Sequence, residues 1–164
     1  MNKCLFVSKL FLSIGLLGVT TLSFAKGHKV VTGNGQHRFE INTHWQSFSD
    51  GNEMGSTHGG VAVDKNGNVY VTTDKERGIA VFSSGGKFLR SLGVEYSGSH
   101  SLEIHEEYGV EYLYAAHKAM ERIIKLDLQG KLVMEIGSTD KQPIPETLKG
   151  LTGVTVGPDG RIYA

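Results

Sequence analysis

An all-β fold of repeated four-stranded antiparallel blades, a β-propeller, is predicted by three features of this 164-residue chain. The stretch GGVAVDKNGNVYVTTDKERGIAVFSSGGKFLRSLG (residues 59–93) returns as HSLEIHEEYGVEYLYAAHKAMERIIKLDLQGKLVMEIG (100–137) and begins again as TGVTVGPDGRIYA (152–164). Tyr70 and Tyr114, Gly86 and Gly130, and Gly93 and Gly137 each stand 44 positions apart, a period that four-stranded propeller blades show. The 22 glycines against 3 prolines supply the positive φ that tight hairpin turns require and argue against proline-rich linkers.

The first element is a leader. Lys3 and Lys9 precede the apolar run from Leu10 to Val19, and Ser23-Phe24-Ala25 places small residues at a cleavage site, so residues 1–25 read as a secretory signal peptide. The run is too short and glycine-interrupted to span a bilayer, which takes about 20 apolar residues. The mature chain then starts near Lys26, is secreted or periplasmic, and has no membrane span after cleavage. Cys4 lies inside the leader, so the mature chain has no thiol for a disulfide, a metal or a nucleophile.

Residues 26–55 form an N-terminal segment with the strand-like HRFEI and Trp45. In a closed ring such a segment serves as the closing strand, with Trp45 packed structurally rather than binding sugar. Residues 56–93 then show four strand signals, at Val61/Val63, Val69 to Thr73, Ile79 to Phe82 and Lys87 to Leu92. Alternating β-branched and aromatic residues, bounded by Asp-Lys-Asn-Gly and Ser-Ser-Gly-Gly turns, mark them as a meander of hairpins. The second repeat (98–137) carries the same four, and the third (150–164) starts them. Ala164 falls within the second strand of that third unit, so a six-bladed ring predicts a protein roughly twice this long, of which about two and a half blades are present.

GVAVDKNGNVYV, RIIKLDLQGKLVMEIG and GVTVGPDGRIYA resemble NHL repeats: an apolar strand, Asp-x-x-Gly, a second apolar strand, then an Arg-Ile start and a Leu-Asp-x-x-Gly-Lys hairpin. The resemblance covers about residues 56–164. The strand entrances HSLEI and TGVTV are most similar to the six-bladed peptidyl-hydroxyglycine amidating-lyase branch and its bacterial relatives. In that family, histidines entering the first strands of alternate blades bind a catalytic zinc. The resemblance therefore implies zinc as a cofactor, with His100 matching a ligand position and His58 and His117 as further candidates for ligand or base.

Antiparallel neighbours bring the start of each first strand and the end of each second strand to one end of a blade. His58 and His100 at strand entrances, and Asp74 and His117 at strand exits, should therefore face one channel mouth. Imidazole nitrogens there suit zinc if three converge and a fourth position stays open. The plainer role is to cap strands and bond loops. His28, His37, His44 and His105 share no repeat position.

Asp64 and Asp127 precede turn glycines and should cap Asx turns. Arg77 and Arg122 enter third strands, where they either bind a carboxylate or pair with Asp74 and Glu121. EIHEEYGVE (103–111) reads as a charged hairpin rather than a calcium site. There is no serine-nucleophile elbow, phosphate loop or dinucleotide fingerprint. Net charge is zero and basic residues interleave with acids, which argues against nucleic acid as a partner. The expected function is an exported binding module whose channel mouth takes a small-molecule, peptide or protein ligand. The alternatives are a zinc-dependent lyase or hydrolase like the amidating lyase, and a structural scaffold.

Overall fold

The computed structural model describes residues 30–49, 53–75, 77–137 and 148–164; the leader and most of the long loop around STDKQPIPETLK lie outside them. Strands dominate the described residues, and no helix among them is long and apolar enough to cross a membrane. Residues up to Asn42 form one unit and residues from Thr43 onward another. The first contains a hairpin of β1 (Val30–Asn34) and β2 (His37–Ile41), in register from Val30 opposite Ile41 to Asn34 opposite His37. HRFEI is thus β2 of this hairpin.

The second unit holds two four-stranded antiparallel sheets and a further two-stranded hairpin. The first sheet runs β3 (Val61–Val63), β4 (Val69–Thr72), β5 (Ile79–Phe82) and β6 (Phe88–Leu92), in sequence order. The second runs β7 (Ser101–Glu107), β8 (Val110–His117), β9 (Arg122–Asp127) and β10 (Leu132–Gly137), also in sequence order. β11 (Thr155–Val156) and β12 (Ile162–Tyr163) form a third hairpin.

Turn chemistry sets the hairpins. Asp64 Oδ1 accepts the amides of Asn66 and Asn68, at 2.9 and 2.8 Å. Asp127 Oδ1 accepts those of Gln129 and Lys131, at 3.0 and 2.8 Å. Asp159 Oδ1 takes the Arg161 amide at 3.1 Å. These are the Asx turns expected of aspartate two residues before the chain reverses.

The strands then alternate between two interiors. On β5, Ile79 and Val81 join one core while Ala80 and Phe82 join another. On β8 and β9, Leu113, Ala115, Ile124 and Leu126 share the first of these cores with Tyr70, Ile79 and Val81 of the first sheet. Tyr114, Ala116 and Ile123 face the other way, against Leu148, Leu151, Val154 and Val156 of the third unit. The second sheet is therefore covered on both faces by different neighbours, and the period-2 pattern places apolar side chains on both.

The first strands of the two sheets approach closely at the seam between them. A β-carbon built on Gly60 would fall 2.7 Å from Thr72 Cγ2 and 3.1 Å from Leu102 N. Gly60→Ala should push the two sheets apart and cost about 1–3 kcal/mol, as overpacking does. A lowered urea midpoint at unchanged slope is the expected reading. At the next seam, polar side chains of β7 meet the third unit: Ser101 Oγ accepts the Val154 amide at 3.0 Å and Glu103 Oε1 the Val156 amide at 2.9 Å. The amide edge of β11 is satisfied by side chains rather than by another strand.

Residues 45–48 pack on the outer part of the first sheet. Ser47 forms a parallel bridge to Lys87, donating to Gly86 O and accepting from the Phe88 amide at 2.8 and 2.9 Å. Trp45 and Phe48 lie on Phe82, with ring centroids 5.5 and 5.4 Å away, and Trp45 Nε1 donates to Ser84 O. Gly86, at φ +83°, gives the arm room: a β-carbon there would fall 1.7 Å from Trp45 O. Trp45 is a packing residue, as its size suggested.

Candidate functional site

One end of the seam opens as a cleft of about 600 Å³. His58 reaches it from the loop before β3, Asp74 from the exit of β4, His100 from the entrance of β7 and His117 from the end of β8. The strand directions thus gather all four at one mouth. The connection from β6 to β7 forms another wall through Ser97 and Gly98, and the turn after β8 contributes Lys118 and Glu121.

Each histidine has a different situation. The rings of His58 and His100 stack face to face, 4.0 Å between centroids and 12° apart in plane. His58 Nε2 lies 3.2 Å from Asp74 Oδ1, although that oxygen is buried without a well-aligned hydrogen bond among the described residues. Neither ring nitrogen of His100 has a hydrogen-bond partner among the described residues, so both are available to the cleft. Burial lowers the His100 pKa below its ordinary 6.5, and the nearby His58, Lys118 and His117 add to this against an opposing pull from Asp74.

His117 is buried and fully engaged. Its Nδ1 accepts the Met120 amide at 3.1 Å, so the proton of the neutral ring belongs on Nε2, which donates to Ser97 O at 2.9 Å. Gly98 in turn donates to Thr73 O at 2.8 Å. His117 therefore pins the connection between the two sheets, and neither of its nitrogens offers a lone pair to a metal or to a substrate proton. This revises its expected place as ligand or base.

The zinc site implied by the resemblance can be tested against these positions. A catalytic zinc takes three protein ligands whose lone pairs converge on one point. With His117 engaged, His58 and His100 remain, and because imidazole lone pairs lie in the ring plane, two nearly parallel rings 4.0 Å apart hold theirs in separate planes. No group of three histidine, cysteine, aspartate or glutamate side chains is arranged to hold a metal ion among the described residues. The residues described here do not fit the group.

The two arginines are employed elsewhere. Arg122 Nη1 donates to Glu135 Oε1 of β10 at 2.8 Å, in place of the expected Glu121. The guanidinium of Arg77 lies 4.3 Å over the Phe48 ring and 4.7 Å over Phe88. Lys118 and Glu121 were not anticipated as cleft residues; the sequence signal for them is their place in the turn that follows His117. Glu121 adopts φ 51° and Gly78 φ 59°, each in the turn between the second and third strands of its sheet.

At the other end of the second sheet lies a buried ion pair. Lys125 Nζ donates to both carboxylate oxygens of Glu107 at 2.7 Å, and the Tyr114 hydroxyl donates to Oε1 of the same carboxylate. The ammonium also lies 4.1 Å over the Tyr112 ring. The first repeat has a simpler counterpart, in which the Tyr70 hydroxyl donates to Asp64 Oδ2 at 3.1 Å. There, burial and the Asp64 charge push the tyrosine pKa up to about 12. Both tyrosines anchor the first hairpin of their sheet.

Neither the known protein-family models nor the curated proteins contain a match to this chain.

Proposed function

We propose that this chain is an exported NHL-type β-propeller that binds a ligand carrying an acidic group at its channel mouth. Four-stranded antiparallel sheets stacked face to face, in a repeat of the blade period, are consistent with this architecture. One observation carries the functional reading: at a mouth where His117, Ser97 and Gly98 are tied to backbone partners, the His100 ring and the Lys118 ammonium have no hydrogen bond or ion pair among the described residues. A ring nitrogen and an ammonium beside one cleft suit a carboxylate or similar anion on a small molecule, peptide or protein.

The test is isothermal titration of the purified full chain against acidic small molecules and peptides. A ligand of this site should bind at least about tenfold more weakly to Lys118→Ala and to His100→Ala, the loss expected for one charge-assisted hydrogen bond. Binding unaffected by both substitutions would place the ligand elsewhere. Absence of binding across all classes would favour the scaffold.

A further inference from the structure

We propose that the ligand taken at the mouth is a small zwitterion, an amino acid in the broad sense, whose carboxylate meets Lys118 and His100 and whose ammonium meets Glu121 and Asp74. The inference rests on the reading of this cleft as a site for an acidic group, and adds a second charge to the ligand.

It starts from a pairing that the cleft does not make. The Glu121 amide donates to Lys118 O at 3.1 Å, so one tight turn holds the two backbones together, and both residues line the cleft. Their side chains carry opposite charges, yet neither the ammonium nor the carboxylate has a hydrogen bond or ion pair among the described residues. Both charges stay open to a ligand.

Asp74 supplies a second carboxylate on the opposite sheet. Its amide donates to Ser56 O at 3.0 Å, which fixes it at the exit of β4. Oδ1 is buried, 3.2 Å from His58 Nε2, so the 25% exposure that the side chain keeps falls on its other atoms. His100 is fixed in the same way, its amide donating to Ala116 O at 2.8 Å while its ring stays open to the cleft.

The balance of charge then selects the ligand. Counted without the imidazoles, the walls hold two carboxylates against one ammonium. A simple anion would add to that negative excess, whereas a zwitterion brings its own ammonium to the surplus carboxylates and leaves its carboxylate for Lys118 and His100. The cleft of about 600 Å³ has the size of a small-molecule site.

The experiment is isothermal titration of the full chain, near neutral pH, with glycine, β-alanine and their longer unbranched homologues. Each is compared with its N-acetyl form, which keeps only the carboxylate, and its methyl ester, which keeps only the ammonium. One chain length should bind best, and either modification should weaken it at least about tenfold. In Glu121→Gln and in Asp74→Asn the free amino acid should lose affinity while the N-acetyl form changes little, so the penalty for acetylation shrinks. A merely structural role of these residues would weaken both forms alike and leave that penalty intact. N-acetyl forms that bind as tightly as the free amines, an acetylation penalty unchanged in both variants, or no binding at any chain length would overturn the proposal. Tight binding of the N-acetyl acid that is lost in Lys118→Ala would reject the zwitterion and leave the acid-binding mouth standing. Methyl esters that bind as tightly as the free acids would reject both.

Discussion

Phe82→Ala should cost about 3–5 kcal/mol and shift the emission of Trp45 to the red. Phe82 is fully buried, and its ring meets Trp45, Phe48 and Phe88 at centroid distances of 5.5, 5.4 and 5.9 Å. The neighbours it would leave behind are held by backbone bonds at Ser47, so the cavity cannot simply collapse. Trp45 is the only tryptophan, which makes its fluorescence a direct probe of the arm at residues 45–48. Urea denaturation followed by that emission should show a large drop in midpoint. Val61→Ala, at a side chain already 54% exposed on β3, should change the midpoint little.

Lys125→Ala should be the second most damaging of these changes, at about 2–3 kcal/mol. Removing one partner of a fully buried pair costs about 3–5 kcal/mol; the Glu107 side chain keeps 27% of its exposure, and water softens the loss. Lys125→Met would keep the contact with the tyrosine rings, and Lys125→Met with Glu107→Gln should recover most of the stability, because the orphaned charge is gone. The pH profile separates charge from packing. Lys125, and then the Tyr114 hydroxyl, hold the Glu107 carboxyl below its ordinary 4.5. This stabilisation is complete above that value and is lost as pH falls through the lowered one. The acid limb of the stability curve should be shallower in Lys125→Met than in the parent chain.

Strand positions were legible because the side chains obey a two-residue period. Ile79 to Phe82 reads as four apolar residues in a row, and each successive one enters a different core. The Asx turns were equally plain, since Asp64 and Asp127 each stand three residues before a glycine, Asp64 in the first turn of its sheet and Asp127 in the last turn of the other. The shifts in register between Val81 and Phe82, and between Leu132 and Met134, have no comparable sign in the residues.

The mouth was legible as a location and not as an arrangement. Strand direction alone places His58, Asp74, His100 and His117 at one end. Whether the rings converge or stack depends on how closely the loop through Gly60 approaches β7, a tertiary distance with no local signature. The engagement of His117 likewise depends on the path of the connection through Ser97. The buried ion pair did leave a trace: the RIIKLD strand places Lys125 between inward-facing apolar residues, and an inward lysine requires an acid nearby. EIHEEYGVE is the hairpin its pattern suggested, but Glu107 turns inward to meet that need.

The central claim is that the first two sheets pack so that the entrances of β3 and β7 meet at one rim. Its most direct test is a nuclear Overhauser measurement at neutral pH between the imidazole protons of His58 and His100. The account predicts strong cross-peaks from rings 4.0 Å apart. Their absence, or cross-peaks placing His100 beside Glu107 at the far end of β7, would contradict it.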